Sequence, residues 1–214
     1  MSDKIYPVPK ISNLVPLMSE EKYSELYKLS LDNPNKFWGE EALSRLNWIK
    51  PFDDVLSTNM EEAEFEWFSN GKLNACFNCV DRHLENNGNK IAFIWESDDG
   101  STSKKITYQE LYEDVCRFSN LLKSRGIKKG DRVCIYMPMI LEAIYSMLAC
   151  ARIGAVHSVV FGGFSVESLK DRILDSDCQT IITANEGLRG GKKVPLKNNV
   201  DCAVEQCPNV HTVI

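Results

Sequence analysis

From Asp131 onward, short apolar, β-branched runs alternate with longer segments whose apolar residues recur every three or four positions. The runs fall near 132 to 136, 156 to 160, 179 to 183 and 210 to 214, and the amphipathic segments near 140 to 152, 165 to 175 and 196 to 206. A helix repeats its buried face about every 3.6 residues, whereas a strand covered on both faces reads as a continuous apolar run, so the pattern predicts repeated strand–helix units. Such units pack as a parallel, doubly wound α/β sheet with helices on both faces, because strand twist favours right-handed crossovers. Two of the runs, Ala155 to Ser165 and Thr183 to Pro195, lead into glycine pairs, Gly162-Gly163 and Gly190-Gly191. They deliver the chain to the carboxyl edge of the sheet, where open α/β folds bind ligands.

Upstream the pattern is more irregular. Pro7, Pro9 and Pro16 among polar residues predict an extended arm over 1 to about 18. Ser19 can cap a helix striped by Tyr23, Leu26, Tyr27 and Leu31, which Asn33-Pro34 stops; Pro34 then opens a second helix through Phe37, Trp38, Ala42 and Leu46. Phe65, Trp67 and Phe68, followed by Asn70-Gly71, predict a short strand and turn that pack on a neighbouring core. Asn74 can cap a helix from Ala75 to about Glu85, and Asn86 to Asn89 break it. Ile91–Trp95 and Lys105–Thr107 flank Asp98-Asp-Gly-Ser-Thr102 as a hairpin. Thr107 caps a helix with Leu111, Val115, Phe118, Leu121 and Leu122 on one face, and Gly126 closes it. The division expected is a mostly helical extension over 1–73 and the start of a larger domain over 74–214. The last run, His211 to Ile214, has no helix after it, so the chain reads as a piece cut inside a larger enzyme.

Composition narrows the function classes. With 214 residues and 43% hydrophobic content the chain can bury one good core and a smaller appendage. A net charge of -5 argues against a dedicated nucleic-acid or anionic-membrane binder. No apolar run approaches a membrane span, and no signal or transit pattern opens the chain, so a cytoplasmic protein is expected. Cys116, Cys134, Cys150 and Cys178 lie in apolar periodic segments and read as small hydrophobes. The Cys76-Phe-Asn-Cys79 pair has no second pair at zinc spacing and reads as part of a helix.

The charge that matters is local. Residues 186 to 197 carry Arg189, Lys192, Lys193 and Lys197 against Glu186, an excess of about +3 along the chain. Beside Gly190 and Gly191 these cations suit a phosphate, which guanidinium grips with paired N–H donors while glycines let it approach the backbone. A solvated basic turn with no ligand is the other reading. Neither a Walker phosphate loop nor a dinucleotide-binding glycine fingerprint is present. His157 sits in an apolar strand with no Ser, Asp or Cys motif partner and reads as a satisfied core histidine.

Several motifs in order carry a closer resemblance: Tyr108-Gln-Glu-Leu-Tyr112, Gly130-Asp-Arg-Val-Cys-Ile-Tyr-Met-Pro138, Ala151-Arg-Ile-Gly-Ala-Val-His157, Val160-Phe-Gly-Gly-Phe-Ser165 and Thr183-Ala-Asn-Glu-Gly-Leu-Arg-Gly-Gly-Lys192. Together with Phe37-Trp38 and Phe65-Glu-Trp-Phe68, this series resembles the amino-terminal part of the acetyl-coenzyme A synthetases, AMP-forming acetate–CoA ligases of the adenylate-forming superfamily. The resemblance implies acetate activation by ATP to acetyl-adenylate with release of diphosphate, then transfer to coenzyme A. It implies that Arg189, Gly190, Gly191 and Lys192 hold the nucleotide end of coenzyme A. The family's last position in that loop is often arginine, so Lys192 keeps the charge but loses the fork geometry. The Gly162-Gly163 pair either lets the pantetheine arm of coenzyme A pass close to the backbone, with Gly163 the candidate contact, or relieves crowding where strand meets helix. No catalytic residue is expected here, since the family's phosphate loop, magnesium-binding region and adenylation lysine would all follow Ile214. The implied partners are coenzyme A, ATP, acetate and the carboxyl-terminal remainder of the same polypeptide. A propionate ligase of the same family and a non-catalytic nucleotide-binding module are alternatives. A G-x-x-G RNA clamp at Gly187–Gly190 is disfavoured because the segment follows a strand.

Overall fold

The computed structural model describes residues 17–214 in two units, Met1–Lys72 and Leu73–Ile214. The arm expected over 1 to about 18 lies outside the described residues except for Leu17 and Met18. In the first unit, helix α1 (Glu20–Asp32) starts where the Ser19 hydroxyl accepts from Lys22 N, and α2 (Pro34–Arg45) starts at Pro34 behind the Asn33 cap. Next comes an antiparallel hairpin of β1 (Asp54–Asn59) and β2 (Glu64–Ser69). Its second strand carries the expected aromatic run; its first, polar at Asp54, Ser57, Thr58 and Asn59, has no clear apolar alternation and escapes a reading by pattern. The extension is therefore less helical than its sequence suggests. Phe68 packs against Trp48, Phe52 and Trp67, with ring centroids 4.9 to 5.6 Å apart, and the Trp48 indole donates to the Ala42 carbonyl at 3.0 Å.

The second unit opens with α3 (Ala75–Cys79), a 3-10 turn over Asp81–His83 and α4 (Leu84–Asn87). A single helix to about Glu85 is the expectation, and the chain breaks it at Val80, which is fully buried. The break turns Asp81 toward Arg152, and the two form a fork-like pair at 2.9 and 2.6 Å. Tertiary packing and a charge pair from 71 residues away thus override local helix propensity. The strands β3 (Ile91–Glu96) and β4 (Ser103–Thr107) pair as the expected hairpin. Helix α5 (Tyr108–Ser124) follows with a complete capping box between Thr107 and Glu110.

Then come β5 (Arg132–Met137), α6 (Leu141–Ile153), β6 (Val156–Phe161), α7 (Val166–Ser176), β7 (Thr180–Thr183), β8 (Gly187–Arg189), β9 (Lys192–Val194), α8 (Leu196–Val204) and β10 (Thr212–Val213). The sheet runs in the order β10-β7-β5-β6, parallel throughout. One core, containing Leu111, Val115, Leu122, Val133, Ile135 and Ala149, joins α5 and α6 to one sheet face. The other, containing Cys134, Tyr136, Leu169, Ile173, Ile181 and Leu196, joins α7 and α8 to the opposite face. Successive residues of β5 alternate between the two, as a strand covered on both sides must. No helix among the described residues is long and apolar enough to cross a membrane.

Candidate functional site

The sheet order places β6 on one side of β5 and both later strands on the other, so the chain reverses direction between β5 and β7. At such a point the loops leaving adjacent strands part toward opposite faces and leave a crevice. A cavity of about 430 Å3 lies there, bounded by Pro138–Ile140 after β5, Gly162 and Gly163 after β6, Gly187–Arg189 after β7, and Trp95–Asp98 from the β3–β4 hairpin.

Tyr136 organises these walls from beneath. Its side chain is fully buried, and its hydroxyl donates toward the carbonyls of Phe164 (2.9 Å) and Gly162 (3.3 Å) while accepting from Asn199 Nδ2 at 3.2 Å. One β5 side chain therefore ties the loop after β6 to helix α8. The Trp95 indole donates to the Met139 carbonyl at 2.8 Å and pins the β3–β4 hairpin to the loop after β5. Gly187 lets its strand cross Pro138, since a Cβ there would lie 2.7 Å from Pro138 Cβ.

The segment read from sequence as a basic loop is a β-hairpin. Gly190 and Gly191 occupy its two-residue turn with φ of +57° and +74°, the mark of a type I′ connection. The Gly-Gly pair between two three-residue runs is the signal that could have revealed it. The pairing sets Arg189 directly opposite Lys192 on one face. The Arg189 guanidinium lies 4.7 Å over the Phe161 ring centroid. A Cβ at Gly163 would collide with the Arg189 Nη1 atom and lie 2.7 Å from Phe161 Cε1. Gly163 and Arg189 thus line one corner of the cavity, and the turn beside Arg189 carries Gly190, Gly191 and Lys192.

It also revises the local charge. Lys193 donates to Glu186 at 2.6 Å and Lys197 to Asp201 at 2.7 Å, which leaves Arg189 and Lys192 without a salt bridge among the described residues. Asp98, 92 residues upstream of Gly190, accepts from Gly190 N at 3.0 Å and Gly191 N at 2.8 Å. The excess counted along the chain is therefore smaller in space. Nothing in the sequence around either segment links them. The expectation for His157 also changes: β6 is an edge of the sheet among the described residues, and His157 is exposed there rather than held in the core.

The turn carrying Asp98 is itself hydrogen-bonded. Asp99 accepts from the Ser97 hydroxyl (2.6 Å), the Ser101 amide (3.0 Å) and the Ser101 hydroxyl (2.8 Å), which together lower its carboxyl to about 2. The amides of Gly191 and Gly190 hold Asp98 below its ordinary 3.8, partly opposed by Asp99. A depressed carboxyl stabilises the fold above its unfolded value and loses that contribution as pH falls through the folded one. In an acid titration the Gly190 and Gly191 amide resonances should therefore hold steady and then shift with a midpoint below 3.8. A midpoint at or above that value would show the bonds absent in solution.

All eight cysteines are free, and burial pushes the Cys76 thiol up to about 11. Among the described residues no group of three or more His, Cys, Asp or Glu side chains is placed to hold a metal ion.

Comparison with known proteins bears on the site as a whole. The chain is 55% identical over 210 residues to acetyl-coenzyme A synthetase 2 of Pseudomonas aeruginosa, covering 98% of this chain and 33% of that protein. It is 57% identical over 210 residues to acetyl-coenzyme A synthetase of Saccharophagus degradans, again 98% of this chain and 33% of the relative. The chain thus spans about a third of the length of the curated relatives it matches. Among solved structures, acetoacetyl-CoA synthetase from Streptomyces lividans superposes with a TM-score of 0.82 over 92% of this chain and 30% of that one; at 24% identity this likeness shows the fold alone. The acetyl-coenzyme A synthetase N-terminus family matches residues 23–79. The AMP-binding enzyme family matches residues 80–214, more than half of the chain and the whole of the sheet and its cavity, and the chain belongs to that family.

Proposed function

We propose that the chain is the amino-terminal part of an AMP-forming acetate–CoA ligase, with residues 74–214 beginning its large domain and Arg189 and Lys192 holding the nucleotide end of coenzyme A. The observation that carries the reading is the like-charged pair on the β8–β9 hairpin. Like charges directly opposite on a two-stranded ribbon repel. A bound phosphate between them turns that repulsion into attraction. Arg189 supplies a fork of donors, Lys192 a second charge, and the Phe161 ring fixes the guanidinium plane. Because Asp98 engages the Gly190 and Gly191 amides, these glycines shape the turn and the two side chains make the phosphate contacts. Gly163 leaves room for the Arg189 head and the Phe161 ring edge.

ATP, acetate and coenzyme A are the substrates in this reading. Magnesium would assist the adenylation, but the described residues offer no cluster to hold it, and no step here is drawn through it. The test is the protein encoded by the whole parent gene, supplied with acetate, ATP and coenzyme A. Acetyl-CoA, AMP and diphosphate are expected, in equal amounts. The 214-residue chain alone, about a third of the length of its relatives, is expected to release no diphosphate, because the reaction needs ATP and acetate held in line. Formation of ADP, or failure to consume coenzyme A, would overturn the proposal.

A further inference from the structure

The β8–β9 hairpin has only three residues in each strand and forms a two-stranded sheet of its own. Ribbons of that size are marginal in water, so something must hold the tip if its side chains are to point in fixed directions. The Asp98 carboxylate does so, with one oxygen 3.0 Å from Gly190 N and the other 2.8 Å from Gly191 N. It bridges consecutive amides that a type I′ turn would otherwise leave to water, using charge-assisted bonds. Its own mount is hydrogen-bonded: the Ser97 and Ser101 hydroxyls both donate to Asp99, and Thr102 N donates back to the Ser97 hydroxyl at 3.0 Å. Trp95 anchors the same hairpin to Met139.

Resting on the coenzyme A reading of this rim, we infer that Asp98 is a positioning residue for the nucleotide site. It touches no substrate. It orders the Gly190–Gly191 turn in advance, so that Arg189 and Lys192 on either side of it face the phosphate without first losing the entropy of a loose tip. The role has an opposite sign from simple electrostatics. A carboxylate beside a polyanion site repels the ligand, so removing its charge alone would tighten binding, whereas removing a clamp weakens it.

The experiment compares Asp98→Ala, Asp98→Asn, Arg189→Ala and the Asp98→Ala/Arg189→Ala double variant in the protein encoded by the whole parent gene. Asp98→Ala should raise the KM for coenzyme A about three- to tenfold, the cost of ordering a short turn on binding. Its kcat at saturating coenzyme A should stay within about twofold of wild type. Asp98→Asn keeps one acceptor oxygen and should fall between. In the Arg189→Ala background the Asp98→Ala change should raise the KM for coenzyme A by less than it does in wild type, because only the Lys192 contact remains for Asp98 to position. Amide exchange over residues 187 to 194, read by mass spectrometry, should quicken in Asp98→Ala about tenfold or more. A KM for coenzyme A that is unchanged or lower in Asp98→Ala, while Arg189→Ala raises it, overturns the inference and leaves the ligase reading in place. If Arg189→Ala leaves coenzyme A untouched, the ligase reading of the hairpin fails, and exchange over 187 to 194 still decides whether Asp98 holds the tip: unchanged exchange overturns it.

Discussion

Replacing Arg189 with alanine in the protein that carries this chain is expected to weaken coenzyme A by about 1.5–3 kcal/mol, roughly ten- to a hundredfold or slightly more, the range for a hydrogen bond to a charged group. On the proposed ligase reading, acetyl-adenylate formation uses no coenzyme A and is the internal control. Dephospho-coenzyme A identifies the phosphate concerned. If Arg189 grips the 3′-phosphate, wild type loses affinity for the dephospho form while Arg189→Ala hardly responds to the missing group, and such non-additivity marks two partners of one interaction. Lys192→Ala should cost less, because an ammonium gives charge without the paired donors, and Lys192→Arg should be neutral or slightly favourable. Gly163→Ala should share part of the Arg189→Ala defect, since its new methyl occupies the space of the Arg189 head. Unchanged coenzyme A kinetics in Arg189→Ala would leave the hairpin as a solvated basic turn.

Tyr136→Phe is expected to destabilise the chain by about 1–3 kcal/mol, although it removes one oxygen and no apolar volume. The hydroxyl has neighbours on three sides: the Phe164 and Gly162 carbonyls and the Asn199 amide. With the whole side chain buried, water cannot replace it cheaply, and the stranded partners bear the cost. For a chain of 214 residues this corresponds to a fall in melting temperature of about 2–4 °C per kcal/mol. The Gly162–Phe164 loop should loosen at the same time, visible as faster amide exchange there than in β7. A melting temperature equal to wild type would show that the hydroxyl contributes nothing net.

The sheet and its helices were legible because each element buries its own repeating apolar face. Val133 to Tyr136 are apolar without interruption and become the central strand, and Leu111, Val115 and Leu122 recur at helical spacing and enter one core. Caps were legible for a related reason: Ser19, Asn74 and Thr107 satisfy amides three residues away, within reach of any local reading. Where an element's fate depends on distant residues, pattern fails. The helix after Asn74 should continue by propensity, yet it stops at a buried Val80 so that Asp81 can meet Arg152. Strand β1 has no apolar alternation and exists because β2 pairs with it.

The candidate site divides in the same way. The sequence by itself determined that a glycine pair flanked by cations would sit after a parallel strand, because glycine permits φ above zero and arginine with lysine supplies charge wherever they stand. Only the tertiary structure decided that Lys193 and Lys197 form ion pairs, that Phe161 and Gly163 receive the Arg189 head, and that Asp98 occupies the amides of the turn. The reason is physical: conformational preference is a property of a few adjacent residues, whereas ion pairing, stacking and hydrogen bonding act between atoms a few ångströms apart, whatever the length of chain between them.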